Sequence, residues 1–314
     1  MNRRYFGRLL AGASAIAVPV RAQAIPKIGF LIAGDPNPAW SLFRKSMKDL
    51  GYVEGRTVVY EYRAAGGDET RLDALAAELV GLKVDVLVPV LSPALAAAKK
   101  ATSTIPIVFF SAAPEVGGVS NIARPEGNLT GVFSPSSSVA GKAIQLFHEM
   151  LPQTRAIGAL LNDRDPFRVP LQRDIETAAK AENIELRLLP VKSHDEISAA
   201  FETLKQNGAS GVIVQPSLGL EEMAGLGLQR HVPTFSFRRE FVEKGGLMSY
   251  GANQAELYAG LASYVDKVLK GTKPTNLPVQ QATQFELVVN QSTARQLGIT
   301  FSPTFLARVD EVIE

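Results

Sequence analysis

Side chains that could do covalent or metal chemistry are sparse in this chain. It has no cysteine, which removes thiolate nucleophiles, disulfides and thiolate-held metals. Its three histidines, His148, His194 and His231, are far apart and lack metal-ligand spacing. No G-x-S-x-G elbow, G-x-x-x-x-G-K-[ST] loop or H-E-x-x-H pair occurs, and no G-x-G-x-x-G follows the first strand pattern. The pattern predicts a binder and not an enzyme, with no cofactor and no metal. What it offers a ligand is a set of hydroxyls, carboxylates and aromatic rings placed just after apolar runs.

Those residues define the candidate ligand site. Asp35 follows the run 27–32, Ser92 and Pro93 follow 84–90, and Ser111 follows 106–110. Asp163 follows 156–161, Ser217 follows 211–215, and Ser236 and Phe237 close 234–237. Ser92 reads as a helix N-cap with Pro93 at the first helical position. The N–H groups of such a helix end suit a carboxylate. Asp163 could receive an ammonium group or simply cap the next segment. Arg238 could pair with a ligand carboxylate, or stand in a solvated charge run with Arg239 and Glu240. Trp40, Phe110, Phe237 and Tyr250 could enclose an apolar body. Core packing is the alternative for each and the favoured one for Phe110.

The elements that position these residues alternate. Apolar or β-branched runs at 27–32, 57–62, 84–90, 106–110 and 129–133 predict strands. Between them, Phe43, Met47 and Leu50, and then Leu72, Leu75, Ala76, Leu79 and Leu82, fall at helical spacing. The rhythm restarts with a helix at 142–151 and strands at 156–161, 185–189, 211–215, 234–237 and 247–250. Ser193-His194-Asp195-Glu196 matches a capping box. A long helix at 254–270, a last strand at 285–289 and a short helix from 292 complete the chain. Two βαβα blocks, near 25–133 and 134–250, imply an α/β protein with two doubly wound parallel-sheet lobes. Ligands of such sheets sit at the carboxyl ends of the strands.

Composition agrees with this and excludes other classes. The 314 residues are 46% hydrophobic and 20% charged, as in ordinary globular proteins, and suffice for two domains. Residues 1–24 read as a cleavable export signal: a basic stretch with Arg3, Arg4 and Arg8, an apolar stretch 9–20, and Ala22-Gln23-Ala24 as the cleavage site. The paired arginines resemble a twin-arginine signal, and the location expected is the periplasm. The apolar stretch is shorter than the roughly 20 residues a spanning helix needs. Removing this segment turns the net charge of +2 into −2, with 29 basic against 31 acidic side chains. No positive excess remains for nucleic acid, so none is expected as a partner.

Several blocks resemble a known family. They include Leu50-Gly51-Tyr52-Val53-Glu54-Gly55-Arg56, the run 101–108, and Ala123-Arg124-Pro125-Glu126-Gly127-Asn128-Leu129-Thr130-Gly131. The runs 239–251, 285–290 and 306–313 add to them. Together, across residues 27–313, they resemble ABC-transporter substrate-binding proteins of the type I periplasmic-binding fold, the group with tryptophan- and tyrosine-type binders. The resemblance implies two lobes joined by three crossovers, near 131–134, 250–253 and 282–285. The first lobe would hold 25–133 and 254–282, and the second 134–253 and 283–314. It implies a monomer that binds a small carboxylate-bearing molecule, such as an aromatic amino acid, by lobe closure. The partner implied is an ABC permease in the inner membrane. The loops at 91–93, 114–116 and 162–166 depart from the family pattern, so the ligand's identity does not carry over. A sensor subunit for a membrane receptor, an exported hydrolytic α/β enzyme and a sugar-repressor-like regulator are the rival readings.

Overall fold

A computed structural model describes residues 24–34, 38–112 and 114–314. The export-signal reading, except for Ala24, and Asp35 lie outside the described residues.

The first α/β unit runs β1 (Lys27–Ile32), α1 (Ala39–Asp49), β2 (Val59–Ala64), α2 (Leu72–Gly81), β3 (Val86–Val90), α3 (Ser92–Ala101), β4 (Ile107–Ser111) and β5 (Leu129–Phe133). The second runs α4 (Ser136–Met150), β6 (Ala156–Asn162), α5 (Arg168–Ala181), β7 (Glu185–Val191), α6 (Ile197–Gln206), β8 (Val212–Val214), α7 (Leu220–Gln229), β9 (Thr234–Ser236), α8 (Arg239–Glu243) and β10 (Met248–Ala252). The chain ends with α9 (Gln254–Leu269), β11 (Gln280–Gln281), β12 (Phe285–Asn290), α10 (Gln291–Gln296), α11 (Pro303–Leu306) and β13 (Glu311–Ile313).

Two sheets result, ordered β11-β5-β4-β3-β1-β2 and β13-β12-β10-β9-β8-β6-β7. Every neighbouring pair is parallel except β10 with β12. The α/β fold expected from the alternation is therefore the fold observed. The central strands of each sheet are buried on both faces, which explains why they are apolar runs, while β2, β7, β11 and β13 at the edges are partly exposed. In the first, Ile28, Phe30 and Ile32 pack with α1 and with Leu257, Leu261 and Val265 of α9. Leu31, Leu87 and Phe109 pack on the other face with Leu75 and Leu79 of α2 and Ala94 and Leu95 of α3. The second has Phe147, Ile157 and Phe235 on one face and Leu160, Phe201 and Val212 on the other. No described helix is long and apolar enough to cross a membrane.

The chain passes between the sheets three times: after β5, between β10 and α9, and between β11 and β12. Two glycines lie in the strands that lead into these passages, Gly131 in β5 and Gly251 in β10. A Cβ on Gly131 would lie 2.1 Å from the Phe109 carbonyl oxygen, and one on Gly251 would lie 1.9 Å from that of Phe237. Backbone cannot retreat as a flexible side chain can. Gly131→Ala should lower unfolding free energy by about 2–3 kcal/mol, seen in urea titration as a lower midpoint with an unchanged slope.

Candidate functional site

The carboxyl ends of strands from both sheets meet at one partly open cavity of about 60 Å³. Its walls are apolar, with Leu91 and Phe110 from the first sheet and Phe167, Leu171 and Phe237 from the second. Polar groups enter at a few points: Ser92, Asp165, Ser217, Arg238 and Gln254.

Asp165 is the decisive one. It lies in the turn between β6 and α5 and is 5% exposed. One carboxylate oxygen accepts the Phe167 N–H at 2.8 Å. The other accepts Gln215 Nε2 and Ser217 Oγ, each at 2.7 Å. Gln215 is itself fixed, since its Oε1 accepts the Asn162 N–H at 2.9 Å. These donors lower the carboxyl's pKa, but burial outweighs them and leaves it raised. No cation is hydrogen-bonded to Asp165 among the described residues. A buried carboxylate in an apolar chamber, held by neutral donors alone, is suited to a cationic group from outside.

Across the cavity, α3 starts at Ser92, and the capping position belongs to Leu91. Ser92 is therefore the first helical residue, not the N-cap, and Pro93 the second. The reason is visible in the hydroxyl: Ser92 Oγ shares a hydrogen bond with Ser111 Oγ at 2.8 Å across the β3–β4 pair. Arg238 enters from the end of β9. It is no solvated charge, being 6% exposed. Its guanidinium grips Glu240 through Nε at 3.2 Å and through a shorter Nη2 contact. Glu240 is equally buried, so the pair presents a largely neutralised donor face to the cavity. Arg239 points outward to Glu243 and Glu311.

The candidate residues divide. Ser92, Ser217 and Phe237 line the cavity, and Ser111 stands behind Ser92. Pro93 lines a neighbouring rim groove with Glu69 and Arg164. Ser236 is spent within its sheet, donating to the Val214 carbonyl at 2.7 Å. Asp163 pairs with Arg168 at 3.1 Å and does not line the cavity. Trp40 packs in a first-sheet aromatic cluster, 5.1 Å from Phe30 and 5.2 Å from Tyr60. Tyr250 stacks on Phe285 at 6.1 Å beside the crossover. Phe110 both joins the core and faces the cavity. Asp165, Phe167, Leu171 and Gln254 are cavity residues that the strand-end pattern did not single out.

The cavity connects to the opposite lobe's rim through one further polar contact. Glu69, in a 3-10 turn before α2, accepts Asn162 Nδ2 at 2.8 Å. Burial and the facing Asp165 push its carboxyl up to about 7, while the Asn162 bond and Arg164 oppose the rise.

The family model for ABC transporter substrate binding proteins matches residues 39–313. The chain belongs to that family. Among its relatives is a tyrosine-binding protein of Clostridioides difficile (strain R20291), 23% identical over 82% of this chain and 75% of the relative's own length. A solved Vibrio cholerae conserved domain protein superposes with a TM-score of 0.83 at 27% identity, covering 92% of this chain and 99% of its own. A Streptococcus pneumonia ABC domain in complex with L-Trp superposes at 0.81 with 23% identity and the same coverage. A ligand-free, open substrate binding protein from Clostridium difficile superposes at 0.62 with 19% identity, again with the same coverage.

In this substrate binding protein, Glu69 bears on stability. An acid whose pKa is raised by folding favours the folded state at low pH, and that advantage is lost as pH rises from about 4.5 through about 7. Glu69→Gln keeps an acceptor for Asn162 without the titration. Its melting temperature should match wild type near pH 5 and exceed it by about 2 °C at pH 8. Parallel melting curves of the two proteins across that range check it.

Proposed function

We propose that this protein is the exported solute receptor of an ABC importer and that its ligand is an α-amino acid with an apolar, aromatic side chain. The observation that carries the reading is the buried Asp165 carboxylate, held by three neutral donors and facing an otherwise apolar cavity. An α-ammonium group supplies the missing positive charge. The side chain lies among Phe110, Phe167 and Phe237, where ring-to-ring contacts add to area burial. The α-carboxylate turns toward Ser92 at the start of α3, whose N–H groups and dipole favour an anion, with the Arg238 donors beside it.

Closure gives the cycle. The ligand binds groups from both sheets, so it favours the arrangement in which they approach. The better superposition on the L-Trp complex than on the ligand-free open relative supports a closed arrangement here. The 1–24 segment and the family support an exported location, and the closed form is the one that an inner-membrane permease would engage.

Titration calorimetry of residues 25–314 with phenylalanine, tyrosine and tryptophan tests this. At least one should bind. Asp165→Asn should weaken it about 100-fold or more, as removal of one partner from a buried charge pair costs about 2–5 kcal/mol. The ligand-free variant should stay folded with a somewhat lower urea midpoint, because the asparagine Nδ2 cannot accept the Gln215 Nε2 bond that the carboxylate accepts. Failure of the whole panel to bind, or equal affinity in the variant, overturns the reading.

A further inference from the structure

Leu91 stands at φ 74° and ψ 155°. That region is suited to glycine and strains any residue with a Cβ. The other described non-glycine residues at positive φ are Lys83, Asn183 and His231, at 54–55°. Each follows the end of a helix, α2, α5 or α7, where a left-handed residue is the ordinary terminator. Leu91 has no such role, because it precedes a helix.

Its surroundings hold it there. The Leu91 N–H donates to the Phe110 carbonyl at 2.9 Å, and the Leu91 carbonyl accepts from the Leu95 N–H at 3.1 Å. The next residue is tied to β4 by the Ser92–Ser111 bond at 2.8 Å. Strand register, helix start and hydroxyl bridge together impose the backbone conformation. The side chain that this strain retains does not vanish into the core. It is partly buried, packs against the hydrophobic clusters on both faces of the first sheet, and lines the ligand cavity beside Phe110.

We propose that Leu91 is the residue that sets the size of the ligand. Its isobutyl group occupies cavity space that the strained backbone would leave empty with glycine, and so it selects one-ring over two-ring side chains. This rests on the amino-acid reading of the cavity. A strained residue retained in a binding wall where glycine would be relaxed is explained by what its side chain excludes.

Two variants separate volume from strain. Leu91→Ala opens the cavity and keeps the Cβ and its strain. Leu91→Gly opens it and relieves the strain. By calorimetry, wild type should prefer phenylalanine or tyrosine to tryptophan. Both variants should shift the ratio of affinities toward tryptophan by about tenfold or more. In urea, ligand-free Leu91→Gly should have a higher midpoint than Leu91→Ala. An unchanged ratio overturns the assignment of size selection, and a midpoint for Leu91→Ala at or above that of Leu91→Gly overturns the strain. Should no aromatic amino acid bind any of the three proteins, the functional reading and the size selection fail together. The order of midpoints then still decides the strain.

Discussion

A carboxylate buried without a counter-ion is the constraint on which this site depends. Left alone, Asp165 would neutralise itself or draw in water. A backbone N–H, an amide and a hydroxyl from three separate chain positions offset part of the cost of burying it, while burial still holds its pKa above the ordinary value. Those positions explain the local design. The turn after β6 supplies Asp165 and Phe167, and the segment after β8 supplies Gln215 and Ser217. Gln215 is locked by Asn162, and Asn162 reaches across to Glu69 of the first lobe. The charge that a ligand would neutralise is thus two hydrogen bonds from a contact between the lobes.

Parallel sheets make such a site affordable in backbone terms. Their strands end together on one edge, so loops of unrelated sequence converge there. Helices begin at the same edge and turn their N–H groups toward it. The two sheets present these edges to each other because the chain crosses between them three times. Glycine at 131 and 251 is needed in the strands that lead into these crossings, since a neighbouring carbonyl occupies the space of a side chain. Among the described cavity residues, Leu91 is the one at positive φ.

Much of the fold was legible in the sequence because burial on both faces leaves uninterrupted apolar runs, and most of the strand cores followed from those runs alone. The start of α4 was not: the apolar face marks a helix only over 142–151, yet the helix begins at Ser136. The short β11, α11 and β13 carry no periodicity over their two to four residues. Within the site, Ser92, Ser217 and Phe237 were recognisable as the first polar or aromatic residues after a strand. The choice between Asp163 and Asp165 was not recognisable. Both follow β6, and only the path of the turn sends one to Arg168 and the other into the cavity. Arg238 was hidden in a run of three charges. Its extended backbone just before α8 turns it inward to Glu240, while Arg239 turns outward. Trp40 follows a loop at a helix start, where a large side chain can face the cleft; the Tyr60 and Tyr62 rings of β2 that it packs against are distant in sequence.

The central claim is that Asp165 exists to receive an ammonium group. It is tested most directly by calorimetry on wild-type protein with a matched pair of ligands, L-phenylalanine and 3-phenylpropanoate, which differ only in the α-amino group. The account predicts that the acid without nitrogen binds about 100-fold more weakly or not at all. Equal affinity, or tighter binding of 3-phenylpropanoate, would contradict it.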